Sequence, residues 1–172
     1  MKLLYTHQDR QFPDNGYNHT RSIVRAVVYN DKFEVALNYL LGDDRFGHRD
    51  YYELPGGGVE KGETLLEAIN RELKEELGAT VDNIEEIGRG VDFYNLIYRR
   101  NNNHFYLCHL VATGEKHLTE KEKTLIAEVK WVSIDEAIFL VENTVRTPIS
   151  TLVIERELPI LKIAKKMLDS KK

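Results

Sequence analysis

One cysteine among 172 residues leaves no intrachain disulfide to form. Cys108 lies in the apolar run HFYLCHL, which reads as a buried small hydrophobe rather than a reactive thiol. The scarcity suits a reducing compartment. No stretch reaches the roughly 18 apolar residues that a membrane-spanning helix needs. The opening residues MKLLYTHQDRQ turn polar too early for a secretory leader. A soluble cytoplasmic protein with no membrane partner is the expectation. An excess of positive charge is also missing. Lys and Arg number 24 against 28 Asp and Glu, a formal net charge of -4. That argues against a general nucleic-acid binder, which needs a basic surface. It leaves room for a small anionic ligand, because a bound cation can reverse the local sign. None of the six histidines forms a metal-spaced pair with another, so no zinc site is expected.

What is present is a globular composition, 42% hydrophobic and 30% charged, enough for one domain spanning residues 1–172. No internal repeat or low-complexity linker interrupts it. Residues 1–20 hold Pro13, Gly16 and many polar side chains, and read as an irregular lead-in. SIVRAVVYN (22–30) is a buried strand, and FEVALNYLL (33–41) returns after an Asn30-Asp31 turn. GDDRFGH (42–48) reads as a loop, and YYEL as a short strand ending at Pro55. A helix follows, with Thr64 and Glu67 as a capping box and Gly78 as its stop. Two aromatic and β-branched runs, joined by NNN at 101–103, read as a hairpin. EVKWV is a strand, SIDEAIFLVEN a helix, and residues 149–170 a C-terminal helix. The expected fold class is α+β, an α/β/α sandwich with a mixed β-sheet flanked by helices.

The densest signal is LPGGGVEKGETLLEAINRELKEELGA, residues 54–79. Wound at roughly 100° per residue, Leu66, Ile69, Leu73 and Leu77 form a core stripe. Glu72, Glu75 and Glu76 form an adjacent stripe, while Arg71, Glu67 and Lys74 point elsewhere. Three carboxylates on one stripe repel one another. A divalent cation relieves that repulsion, and Mg²⁺ or Mn²⁺ prefers such hard oxygen ligands. Gly56, Gly57 and Gly58 let backbone approach a ligand closely. Alone, the acidic cluster reads as a solvated helix face. The full spacing is far more restrictive: Gly57, five residues, Glu63, seven residues, Arg71-Glu72-Leu73, one residue, Glu75-Glu76, one residue, Gly78.

This spacing resembles the box of the Nudix (MutT-like) hydrolases, with Ala79 departing from the bulky aliphatic that closes it. The resemblance implies a Nudix-type sandwich and a metal-dependent hydrolase of a nucleoside diphosphate linked to another moiety. It implies Mg²⁺ or Mn²⁺ as cofactor. Glu72, Glu75, Glu76 and the Gly56 carbonyl are the expected metal ligands, and Arg71 completes the expected catalytic set. Glu63, Gly57 and Gly78 are expected to support the loop, Glu63 by pairing with Arg71. The general base stays open between Glu72 and Glu120 or Glu122. Arg25 and Tyr94 are candidate substrate-binding residues, with Tyr98, Arg99 and Arg100 nearby. The aromatics can equally serve cross-strand packing. Tyr94, sixteen residues after Gly78, resembles the marker of diadenosine polyphosphate hydrolases. The expected partner is a nucleotide-type small molecule, and homodimerisation is left open. Two other readings compete. One is a nucleotide-sensing domain that does not cleave its ligand. The other is a prenyl diphosphate isomerase that would need Cys108.

Overall fold

Alternation along the second strand decides the layering. A computed structural model describes residues 1–172. Its strands are β1 (Leu3–His7), β2 (His19–Tyr29), β3 (Glu34–Asp44), β4 (Gly47–Glu53), β5 (Gly56–Gly58), β6 (Ala79–Tyr94), β7 (Arg99–Thr113) and β8 (Ile126–Ser133). The helices are α1 (Leu65–Leu77), α2 (Glu120–Leu125), α3 (Ile134–Glu142) and α4 (Pro148–Asp169). On β2, Val24, Ala26 and Val28 pack with Ala68, Ile69, Leu73 and Leu77 of α1. Val27 and Tyr29 face the other way, into a core shared with Ala137 and Val141 of α3 and Ile160 and Leu161 of α4. Side chains of period two on a strand buried on both faces require this arrangement. The result is the expected sandwich of a mixed sheet between helices.

Strand order is β1-β6-β7-β2-β3-β4, with β5 also on β2 and β8 also on β3. β2 runs parallel to β7 over its whole length, whereas β2 and β3 share only the register pair Tyr29↔Val35. The two halves of the sheet therefore splay from that point, and a cavity opens between them.

Several sequence expectations need correction. The lead-in is not wholly irregular: Leu3–His7 is a strand, parallel to β6. Tyr5 lies so close over Gly90 that a Cβ there would come within 2.0 Å of its ring. Residues 8–18 are irregular but pinned, because Asp9 accepts from the amides of Gln11, Phe12 and Asn95. The triplet Asn101–Asn103 is not the hairpin turn. The chain reverses at 95–98, where Tyr98 is left-handed (φ 53°) and its amide donates to the Asn95 carbonyl. The asparagines can sit inside β7 because Asp92 accepts from Asn101 Nδ2 at 2.7 Å and Asn103 Nδ2 at 2.6 Å. Buried amides are tolerated when such partners exist. GDDRFGH is a tight hairpin rather than an open loop, since β3 and β4 stay paired down to Asp44↔Gly47. Leu66 is 53% exposed, so the core stripe of α1 runs through Ala68, Ile69, Leu73 and Leu77 without it.

A buried charge cluster ties α4 to the segment that leads into the glycines. Glu157, with no exposed surface, accepts from the Leu54 amide at 2.6 Å and from Arg156 Nε at 3.1 Å. Arg25 Nη1 lies 3.6 Å from the same carboxylate and donates to the Leu54 carbonyl at 3.0 Å. Arg156 also reaches Glu53 at 3.4 Å. Removing one partner of such a buried set costs about 3–5 kcal/mol. Glu157→Ala should therefore lower the melting temperature by roughly 10 °C for a chain of this size. Thermal denaturation followed by circular dichroism reads the change, and an unaltered melt would contradict the role given to Glu157.

Candidate active site

The helix that carries the carboxylates is fixed at both ends. Thr64 Oγ1 accepts from the Glu67 amide at 3.2 Å, and Glu67 returns the bond to the Thr64 amide at 2.7 Å. Gly78 closes the other end in the left-handed region, φ 66°. β5 pairs antiparallel with β2, placing Gly56 opposite Arg25. Gly56 holds φ 140°, and a Cβ there would lie 2.1 Å from the Val24 carbonyl oxygen. No residue with a side chain fits that site. At Gly57 a Cβ would come within 2.5–2.6 Å of the Glu72 carboxylate, so the turn lies directly against α1.

Arg71 fastens turn, loop and helix together. Its Nε and Nη2 fork onto the two oxygens of Glu63 at 2.8 and 3.0 Å. Nη2 also donates to the Gly58 carbonyl at 3.0 Å. Nη1 reaches Glu72 at 2.8 Å and Glu75 at 3.2 Å. Arg71 thus does not point away from the acidic stripe, as simple helical spacing suggested. The guanidinium, helped by the Glu60 amide, holds the Glu63 carboxyl down at about 2.

The carboxylates that converge are Glu72, Glu76 and Glu122, with an oxygen of each within 4.8 Å of the others. Glu75 is not in this group; it is turned to Arg71. Glu122 comes from α2, where it also accepts from the Thr119 amide at 2.7 Å as part of a capping box. That segment is a short helix, not an extended charged loop. Glu120 stays outside, exposed and paired with Lys123 at 2.6 Å. Glu76 accepts from the Gly56 amide at 2.9 Å and from Asn38 Nδ2 at 2.8 Å. Burial nevertheless pushes its carboxyl up to about 8, and burial raises Glu72 as well. Crowded carboxylate oxygens with so little water around them suit a small divalent cation with hard oxygen ligands.

Glu76 and Glu122 line a cavity of about 370 Å³, with Glu72 beside them. Arg25 and Tyr94 both line it, but Arg25 has one nitrogen spent on the Leu54 carbonyl. Tyr94 is flanked by Phe12 at 6.0 Å and Phe46 at 5.8 Å, and its buried hydroxyl has no partner. Tyr98 is exposed and outside the cavity lining, and Arg100 is bonded to Asn102. The sequence reading missed Phe46, Arg49 and Arg156, which line the cavity from the β3–β4 hairpin and α4. The available signal was RFGHR, an aromatic between arginines in a turn. Cys108 is fully buried against α1, its thiol pushed up to about 12 by burial, and it does not reach the cavity.

Fold and site together define an α/β/α protein that presses a glycine turn against a helix of converging carboxylates. Comparison with known proteins identifies the class: a NUDIX domain family model matches residues 19–152, and the chain belongs to that family. It is 36% identical over 69 residues to an RNA pyrophosphohydrolase of Ruthia magnifica subsp. Calyptogena magnifica, covering 40% of this chain and 35% of that protein. It is 26% identical over 111 residues to Nudix hydrolase 7 of Arabidopsis thaliana, covering 64% and 38%. It is 41% identical over 58 residues to nucleoside triphosphatase NudI of Escherichia coli O139:H28, covering 34% and 40%. The matched region thus spans well under half the length of these curated relatives. Among solved structures, the E. coli ORF135 protein superposes with a TM-score of 0.61 at 21% identity, covering 88% of this chain and 92% of that one. That likeness establishes the fold. No helix is long and apolar enough to cross a membrane.

The raised carboxyl of Glu76 sets a sign for stability. Its ordinary value is 4.5 and its folded value about 8, so the folded chain holds this proton more tightly than the unfolded one between those limits. On this account the metal-free protein loses stability as pH climbs from about 5 to about 8. Glu76→Gln removes that dependence. In chelator, melts from pH 5 to 9 should show the variant gaining on the parent as pH rises, with the gap largest above pH 8. A gap that does not change with pH would contradict the burial assigned to Glu76.

Proposed function

We propose that the protein is a metal-dependent pyrophosphohydrolase that cleaves the diphosphate of a nucleoside diphosphate linked to another moiety. The observation that carries this reading is the convergence of Glu72, Glu76 and Glu122 beside the Gly56 turn, where Gly56, Glu76 and Glu122 line a cavity of a size suited to a nucleotide-type ligand. Glu72 and Glu76 would hold Mg²⁺ or Mn²⁺, with Glu75 and the Gly56 carbonyl as the further ligands that family resemblance implies, and with Glu122 beside them. When bound, the cation neutralises the diphosphate, polarises its phosphoryl oxygens and lowers the pKa of a bound water.

The residues of the chain divide the remaining tasks. Arg71 holds Glu72 and Glu75 in place and locks the loop through Glu63. The proton of the attacking water passes to a carboxylate. Glu122 is the acceptor favoured here, because it has no arginine partner, whereas Glu72 is bonded to Arg71. Arg25 and Tyr94 line the path toward the rest of the substrate. A nucleotide-type small molecule, with no nucleic-acid or membrane partner, and a cytoplasmic setting go with this reading.

The test is a panel of nucleoside triphosphates, dinucleoside polyphosphates and nucleotide sugars, assayed after chelator treatment and again with Mg²⁺ or Mn²⁺. Activity should require the added cation, and product identification names the phosphorus attacked. Glu76→Gln keeps shape but weakens cation binding. A loss of about 4 kcal/mol in transition-state stabilisation slows turnover roughly a thousandfold. A variant within a few fold of the parent, or full activity in chelator, would sink the assignment.

A further inference from the structure

Three of the arginines that line the cavity are already paired with carboxylates. Arg49 forks onto Asp44 at 2.7 and 3.0 Å. Arg25 and Arg156 share Glu53 and Glu157. Arg99 differs. It lines the cavity, is half-buried and has no ion-pair partner, and its Nε is fully enclosed with no acceptor. Asp92, in a nearby cross-strand row, makes no hydrogen bond to it and accepts instead from Asn101 and Asn103. Burial first, then the nearby Arg21 and Arg156, pull the Arg99 guanidinium down to about 10. An arginine does not release its proton in the working range, so an anion entering the cavity would meet a charged guanidinium without an ion-pair partner.

Tyr94 supplies a second donor. It sits opposite Arg99 on β6, with its ring 5.9 Å from the guanidinium carbon and its buried hydroxyl unpaired. An arginine fork beside a hydroxyl is a donor set for phosphoryl oxygens. Strand register separates this pair from the glutamates. Gly56 pairs with Arg25 on β2, whereas Arg99 pairs with His19, six residues earlier. Six residues of strand put the two backbone positions about 20 Å apart, and both side chains enter the same cavity.

We propose that Arg99 and Tyr94 form a second phosphate subsite, so that preferred substrates carry a further phosphoryl group remote from the diphosphate that is cleaved. The word substrate rests on the hydrolase reading; the binding of a phosphate at Arg99 does not. Phe46, with Arg45 and Lys121 over its ring at 4.6 and 5.6 Å, also faces the cavity and offers a surface for the moiety between the two phosphate positions.

The first arm of the test needs no turnover. Metal-free protein in chelator is titrated calorimetrically with adenosine 3′,5′-bisphosphate and with AMP. The bisphosphate should bind at least tenfold more tightly, and Arg99→Gln should bring the two within threefold. Arg99→Lys, which keeps the charge but loses the fork, should retain part of the difference. The second arm compares coenzyme A with 3′-dephospho-coenzyme A, and NADP⁺ with NAD⁺, in the presence of Mg²⁺. The parent should favour the phosphorylated member through KM, and Arg99→Gln should erase that preference. Equal binding of the bisphosphate and AMP by the parent overturns the subsite. So does an Arg99→Gln variant, shown folded by its melt, that keeps the difference. Phosphate-dependent binding without turnover of any compound leaves the subsite standing and removes the hydrolase reading instead.

Discussion

The guanidinium of Arg71 is the contact on which the site depends. It touches the glycine turn through the Gly58 carbonyl, the following loop through Glu63, and the helix through Glu72 and Glu75. One planar group with five donors thus fixes three successive segments to one another. The same group offsets the repulsion along the acidic stripe. Glu76 lies beyond its reach and takes its bonds instead from Asn38 and the Gly56 amide. The helix therefore presents two kinds of carboxylate, one paired with a guanidinium and one bonded only to neutral amides.

The opposite side of the turn is secured by α4. Glu157 captures the Leu54 amide two residues before Gly56, and two arginines flank that carboxylate. The turn is thus held from below by α1 and from above by α4, which lie on opposite faces of the sheet. Burying this many charges is tolerable only because each has a partner within hydrogen-bonding reach. Arg99, which has none, stands out against that background.

The layering and the acidic helix were legible in the sequence because they rest on local rules. Period-two and helical spacing, the Thr64 capping box and the Gly78 stop all act within a few residues. The pairing of Arg71 with Glu63 was read from family resemblance and has the geometry expected of it. What spacing could not reveal depended on distant partners. Asn101 and Asn103 look like turn residues until Asp92 lies beside them. Leu3–His7 is too short to stand out until it lies along β6. Glu122 and Glu120 are indistinguishable as charges two positions apart, yet the capping of α2 turns only one of them inward. Glu75 looked equivalent to its neighbours on the helix, but the Arg71 fork draws it aside.

The single register pair between β2 and β3 gives the molecule a wedge with its apex at Tyr29↔Val35. Gly56 and Arg99 ride on one blade, through β5 and β7, while Asn38 and the β3–β4 hairpin ride on the other. Glu76 bridges the blades, bonded to Gly56 on one and Asn38 on the other. Arg25 adds a second link, from β2 to the Leu54 carbonyl and Glu53 at the end of β4, so side chains rather than strand pairing span the aperture. The apex turn is itself tied down, because the Asn30 side chain accepts from the Lys32 and Glu34 amides. A frame of this kind can be refitted to ligands of different girth while the carboxylate helix stays where it is.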